Sequence, residues 1–286
     1  MSGSLGVPSK RMMKMASGWL ARVVNILFRP RLDGVEHLPA EGPFLLVSNH
    51  NAGIALAEIF SIVTCWVTRF GQSRPLAGFA HPLAFKIWPA TVTMRHLGSI
   101  PSGYNAAYTA LDAGVSVLVF PGGDFDSFRP VWQARKVSFN GRRGFLRIAR
   151  EAGVPIVPMG IHGSHYTAPL LFRSEFWAWL LVLPRLAGLK RWGLSALGLM
   201  GAVALAFAPW SWPVRILAIW AWLVSPFTLL PWVPWTIRMR IGPMMPPESL
   251  FDGCGDEDEL WRALSRVEYA IEALVRSEER HDHTTV

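Results

Sequence analysis

The sequence predicts an α/β fold: a mainly parallel sheet flanked by helices, with an N-terminal interfacial helix and a membrane-embedded hydrophobic insertion. Three observations lead there. Short β-branched runs such as Val115–Phe120 (VSVLVF) and Val154–Ile161 (VPIVPMGI) alternate with helical segments, the pattern of parallel strands buried on both faces. Residues 193–209 and 216–235 contain no charged side chain. Charged residues make up only 17% of the chain and hydrophobic residues 51%, against about 25% charge in an ordinary globular domain.

Each element follows from local pattern. Residues 1–7 read as disordered. From Pro8 to Phe28, Lys10, Arg11, Lys14 and Arg22 alternate with Met12, Met15, Trp19, Leu20, Val23, Val24 and Leu27. That spacing predicts one helix with a basic side and an apolar side, lying on a membrane or packed on a core. Residues 1–30 are therefore set apart from a main domain over 31–286. A turn at Pro39–Pro43 leads into the apolar run Phe44–Ser48, a buried strand that ends at Asn49–His50. A helix is expected over Leu56–Arg69, a strand over Pro75–Phe79 and an apolar segment over His81–Met94. Asn105–Ala113 and Gly144–Ala152 read as helices that stop at Gly114 and Gly153.

Residues 176–235 break this rhythm. Two uncharged stretches flank Arg215, and the second is interrupted by Pro226, Pro231 and Pro234. A spanning helix needs about 20 apolar residues, so a re-entrant or half-buried hairpin embedded in a membrane fits better than two full spans. Thr236–Ile241 then reads as a strand. The segment 256–280 is a charged amphipathic helix, with Asp256, Glu257 and Asp258 at its positive end.

The formal charge is +8 and the isoelectric point about 10.1. No zinc spacing, RNA-binding aromatic signature or long basic tract points to nucleic acid. Fourteen tryptophans and a mean hydropathy of +0.28 point instead to an anionic membrane surface. No cleavable apolar leader is legible, so the cytoplasmic face of a membrane is expected. Cys65 and Cys254 lie far apart in no metal-type spacing and read as reduced, structural thiols. No metal ligand set is expected. Residues 176–235 carry cations but no carboxylate, which argues against an ion relay.

Three clusters carry chemistry. His50 stands at the end of a strand, where open α/β sheets place reactive groups, although a lone histidine is more often structural. Between Glu41 and Asp112 the only carboxylate is Glu58, the local candidate to fix the His50 tautomer. Next, the strand Val115–Phe120 runs into Pro121, Gly122, Gly123 and Asp124. Glycines there let backbone N–H groups approach an anion, or simply turn the chain. Arg129 follows at once. Finally Arg135, Lys136, Arg142 and Arg143 put four cations in nine residues before a helix. They suit a lipid or carrier phosphate, or a solvated loop.

Taken in order, four blocks resemble the glycerolipid acyltransferase superfamily, in its diacylglycerol-acyltransferase-like branch. Phe44–His50 (FLLVSNH), Gly98–Pro101 (GSIP), Val117–Asp124 (VLVFPGGD) and Val154–Met159 (VPIVPM) are similar to its four motifs over roughly residues 31–165. Thr236–Pro246 resembles its closing segment. The resemblance implies an O-acyltransferase that moves a fatty acyl group from acyl-CoA, or from acyl carrier protein, to a lipid hydroxyl. It implies His50 as general base with Glu58 as its partner, and Asn49, Pro121, Gly122, Gly123, Asp124, Arg129, Arg142 and Arg143 as substrate-binding residues. No cofactor beyond the acyl-CoA co-substrate is implied. Two departures stand out. The family's first motif carries Asp five residues after the histidine, where this chain has Ala55, and Glu58 comes three residues later. The phosphate-binding form of the third motif reads Pro-Glu-Gly-Thr-Arg, whereas this chain has Pro121-Gly122-Gly123-Asp124-Phe125. The second departure points to a neutral or differently decorated acceptor. The alternative reading is a catalytically degenerate membrane lipid-binding protein.

Overall fold

The computed structural model describes residues 8–51, 53, 56–86, 88, 90–253 and 257–282. Ala55, Cys254 and the segment 1–7 lie outside the described residues. The main sheet has seven strands: β1 (Arg31–Asp33), β2 (Leu45–Ser48), β3 (Leu76–Ala80), β4 (Ile100–Pro101), β5 (Ser116–Val119), β6 (Ile156–His162) and β9 (Arg238–Ile241). They lie in the order β1-β9-β6-β2-β5-β3-β4. Strands β6, β2, β5, β3 and β4 run parallel. β9 is antiparallel to β6 and parallel to β1, so the last two strands oppose the other five. The expected mainly parallel α/β sheet is present. The sequence pattern did not reveal β1 or the small antiparallel ribbon of β7 (Leu170–Ser174) and β8 (Trp192–Ser195).

Helices cover both faces, which explains why the strands are apolar throughout rather than alternating. On one face Leu45, Val47, Val117, Val119 and Ile156 pack against three helices. These are α5 (Tyr104–Asp112), α7 (Gly144–Ala152) and the long C-terminal α13 (Glu257–Asp282). On the other face Leu46, Leu118, Val157, Met159 and Met239 meet α1 (Lys10–Ser17), α2 (Trp19–Phe28) and α3 (Leu56–Phe70). The single N-terminal helix expected over 8–28 is two helices joined at Gly18. That residue breaks the ladder: a Cβ there would lie 2.7 Å from the Lys14 carbonyl oxygen. Met12, Leu20, Val24 and Phe28 are buried in the domain core, while Trp19, Val23 and Ile26 on α2 stay exposed.

Short helices α4 (Ala90–His96) and α6 (Gly123–Ser127) frame the C-terminal ends of β3 and β5. Residues 175–235 form a lobe of α8 (Glu175–Leu181), α9 (Leu183–Leu186), α10 (Ala196–Ala206) and α11 (Trp212–Val224). Its Ala178, Leu181, Trp192 and Leu229 form a small core with Phe128 and Leu170 of the main domain. α10 begins where Ser195 Oγ accepts from the Gly198 N–H, 2.9 Å. α10 and α11 form a close hairpin because Gly201 has no side chain; a Cβ there would sit 2.2 Å from Trp222 Nε1. That indole instead donates to the Gly198 carbonyl at 3.0 Å. Among the described residues no helix is long and apolar enough to cross a membrane. The remaining helix, α12 (Pro247–Leu250), leads into α13.

Candidate active site

β2 is the middle strand of the sheet, and its fully buried run delivers Asn49, His50 and Asn51 to the C-terminal edge. Asn49 is buried and serves as a clip. Its Nδ2 donates to the Ile161 carbonyl at 2.9 Å, and its Oδ1 accepts from the Ile161 N–H at 2.8 Å. Its side chain locks β2 to β6.

His50 Nδ1 lies 3.0 Å from Glu58 Oε2. Glu58, in the first turn of α3, is fully buried, and three groups meet its two oxygens. Oε2 takes His50 and the Asn51 N–H at 3.2 Å, and Oε1 accepts from Ser164 Oγ at 2.6 Å. A carboxylate can only accept, so Nδ1 carries the proton and Nε2 is the basic nitrogen. No described residue hydrogen-bonds Nε2, and the ring lines a cleft. The Phe120 ring stacks on the imidazole at 4.4 Å between centroids. The His50 N–H is held by Asp126 Oδ2 at 2.8 Å.

Asp126 and Arg129 form a buried ion pair, with Arg129 Nε 3.0 Å from Oδ1. Burial pushes the Asp126 carboxyl up from its ordinary value, opposed by Arg129 and by the His50 N–H. Arg129 is 2% exposed and also donates to the Ser138 carbonyl at 3.2 Å. It props the loop under His50. His165, buried nearby, is held neutral: burial, with Arg129 and His162 close by, lowers its pKa to about 3.

The Pro121–Asp124 turn forms the lip of the cleft. Gly122 is required by space, since a Cβ would fall 2.3 Å from Asp126 Cβ. Gly123 has φ +46 and would meet Arg142 Nη1 at 2.3 Å. Arg142 Nη1 donates to the Gly122 carbonyl at 2.9 Å, and Nη2 pairs with Asp124 Oδ1 at 2.6 Å. Asp124 Oδ2 also accepts the N–H groups of Lys190 and Arg191 at 3.2 Å. Asp124 thus ties the turn to the loop before β8. Arg143 points elsewhere: it pairs with Glu257 and lies 4.2 Å over the Trp261 ring on α13. The four-cation cluster therefore splits, and only Arg142 reaches the cleft.

The cleft encloses about 770 Å³. His50, Phe120, Gly123, Asp124 and Arg142 stand among its lining residues, with an apolar wall of Ile62, Trp66, Leu76, Met94, Leu97 and Leu118. A polar dyad beside a long apolar cavity can position a hydroxyl and a hydrocarbon chain together. Ser164, Asn51 and Asp126 were not singled out as site residues in the sequence. Only the His-Gly-Ser run after β6 hinted at Ser164.

Residues 29–162 match a family model described as Acyltransferase. With the dyad at the end of β2 and the motif order above, this part of the chain is similar to the glycerolipid acyltransferase superfamily. It is 29% identical over 148 residues to phytyl ester synthase 2 of Arabidopsis thaliana, covering 49% of this chain and 20% of that protein. It is 28% identical over 188 residues to an uncharacterized Mycobacterium tuberculosis protein, covering 65% of this chain and 51% of that one. The chain thus spans from a fifth to about half the length of these curated relatives. The crystal structure of the 1-acyl-sn-glycerophosphate (LPA) acyltransferase PlsC from Thermotoga maritima superposes with a TM-score of 0.52 at 19% identity. That comparison covers 94% of this chain and 80% of the other, and it shows a shared fold.

Proposed function

We propose that the protein is an O-acyltransferase working at the cytoplasmic face of a membrane. It moves a fatty acyl group from acyl-CoA, or from acyl carrier protein, to a hydroxyl of a lipid or glycerolipid. The observation that carries this is the His50–Glu58 pair opening on an apolar cleft. His50 Nε2 takes the proton from the acceptor hydroxyl as its oxygen attacks the thioester carbonyl. The tetrahedral adduct collapses, the C–S bond breaks, and the imidazolium returns its proton to the departing thiolate. Glu58 holds the imidazole in one tautomer and balances its charge in the transition state, as buried carboxylates do for catalytic histidines. No metal or prosthetic group enters this scheme.

A neutral, apolar acceptor suits the lip better than a glycerol phosphate. Arg142 is already spent on Asp124 and the Gly122 carbonyl, and Arg143 faces α13. Two relatives carry the name phytyl ester synthase, which accords with an ester of an apolar alcohol. The membrane is the natural source of such a substrate. The α10–α11 hairpin exposes Phe207, Trp212, Ile216 and Leu217, and α2 exposes Trp19 and Ile26. The Trp235 N–H donates to the Leu27 carbonyl at 3.0 Å, joining the chain that follows the hairpin to the end of α2.

The test is thiol release from long-chain acyl-CoA and from acyl carrier protein across a panel of acceptor alcohols and lysolipids. His50→Ala is expected to lower turnover on the order of 10²–10⁴-fold while the protein stays folded. Full turnover by the variant would refute the assignment.

A further inference from the structure

Glu58 is one methylene longer than the aspartate of the family's first motif and comes three residues later in the chain. Something must hold its carboxylate at His50. The two oxygens are treated differently. Oε2 meets His50 Nδ1 and the Asn51 N–H, and Oε1 meets only the Ser164 hydroxyl. Ser164 is itself fixed. Its Oγ accepts from Asn51 Nδ2 at 3.1 Å, leaving its one proton for Glu58. Its backbone follows Gly163, which has φ +94 and lies so close to Thr236 that a Cβ would be 2.0 Å from the carbonyl oxygen. Ser164, Glu58 and Asn51 are each buried, so water cannot replace a lost partner without rearrangement.

We infer that Ser164 is a positioning residue of the catalytic site: it clamps the second oxygen of Glu58 and so makes the long carboxylate a rigid partner for His50. The residue lies two positions beyond the end of the family match. This inference rests on His50 acting as the base, and it adds a member that the motifs do not contain. A glutamate has one more rotatable bond than an aspartate, and a second anchor removes the freedom that bond would give.

The experiment compares wild type, Ser164→Ala, Ser164→Thr and His50→Ala by steady-state kinetics, and follows the His50 Nδ1–H resonance by NMR. Ser164→Ala is expected to lower kcat about 10- to 100-fold, the range typical of groups that orient a reactive side chain, with KM for the donor nearly unchanged. Ser164→Thr, which keeps the hydroxyl, should recover most of the loss. The Nδ1–H signal should be protected in wild type and Ser164→Thr and broadened by exchange in Ser164→Ala. Unchanged kcat and a protected signal in Ser164→Ala would overturn the clamp and leave His50 as base. If wild type shows no turnover with any substrate, the acyltransferase reading fails. The resonance still decides on Ser164, and its persistence in Ser164→Ala would refute the clamp on its own.

Discussion

At the scale of the residue, the site stands on two buried carboxylates with separate duties. Glu58 faces the imidazole ring, and Asp126 holds the backbone beneath it. Asp126 can remain charged only beside Arg129. Arg129→Ala should therefore cost about 3–5 kcal/mol at neutral pH, the usual penalty for a buried charge deprived of its partner. The pH dependence has a definite sign. The folded-state pKa of Asp126 is raised above its ordinary 3.8, so the native state takes up this proton more readily than the unfolded chain. Acid therefore relieves the strain, and the deficit of the variant should shrink as pH falls from neutral toward 3.8, with no further change below it. Denaturant titrations of both proteins at several pH values check this. His50 and Glu58 were legible in the sequence because a strand ends at the histidine and no other carboxylate lies between Glu41 and Asp112. Ser164 was not, because it sits 106 residues from its partner and only the sheet brings them together. A run of cations carries no direction, so the sequence does not separate Arg142 from Arg143. At the start of α7, neighbouring Arg142 and Arg143 point to the cleft and to α13 respectively.

At the scale of the element, the central strands were legible and the edge strands were not. β2, β5 and β6 are buried on both faces and appear as unbroken apolar runs. β1 and β4 are short edge strands, and β7 and β8 pair only with each other, so none leaves a strong period. The uncharged stretches of 193–235 fold as α10 and α11 because Gly201 and Pro213 set their approach and their start. At 1.5 Å per residue, 11 and 13 residues reach only about 16–20 Å, against a hydrocarbon core of about 30 Å. A hairpin of that depth suits one leaflet. Phe207, at 85% exposure, and Trp212, at 69%, stand at its turn. Replacing both with Asp should release the protein from vesicles in a flotation assay. Stability should be nearly unchanged, since neither side chain is packed. Retained flotation would move the membrane contact elsewhere.

At the scale of the whole molecule, charge and greasiness work together. A formal charge of +8 favours an anionic surface, at about 1 kcal/mol for each Lys or Arg that reaches it. Exposed apolar side chains then supply a part that salt does not screen. Binding to vesicles containing phosphatidylglycerol should weaken as salt rises from 0.05 to about 0.5 M, yet level off above zero, as sedimentation at each concentration would show. Purely electrostatic binding would fall away entirely.

The sheet order carries one more consequence. β1 has a single neighbour, β9, so Arg31 finds its place only when Arg238 arrives, after the cleft loops and the whole apolar lobe have been synthesised. Closing so long a loop is slow. On the ribosome, the first strand of the sheet waits unpaired while the greasiest part of the chain emerges. Emergence of that lobe and completion of the sheet thus become one event, so that the first strand to leave the ribosome is among the last to be finished.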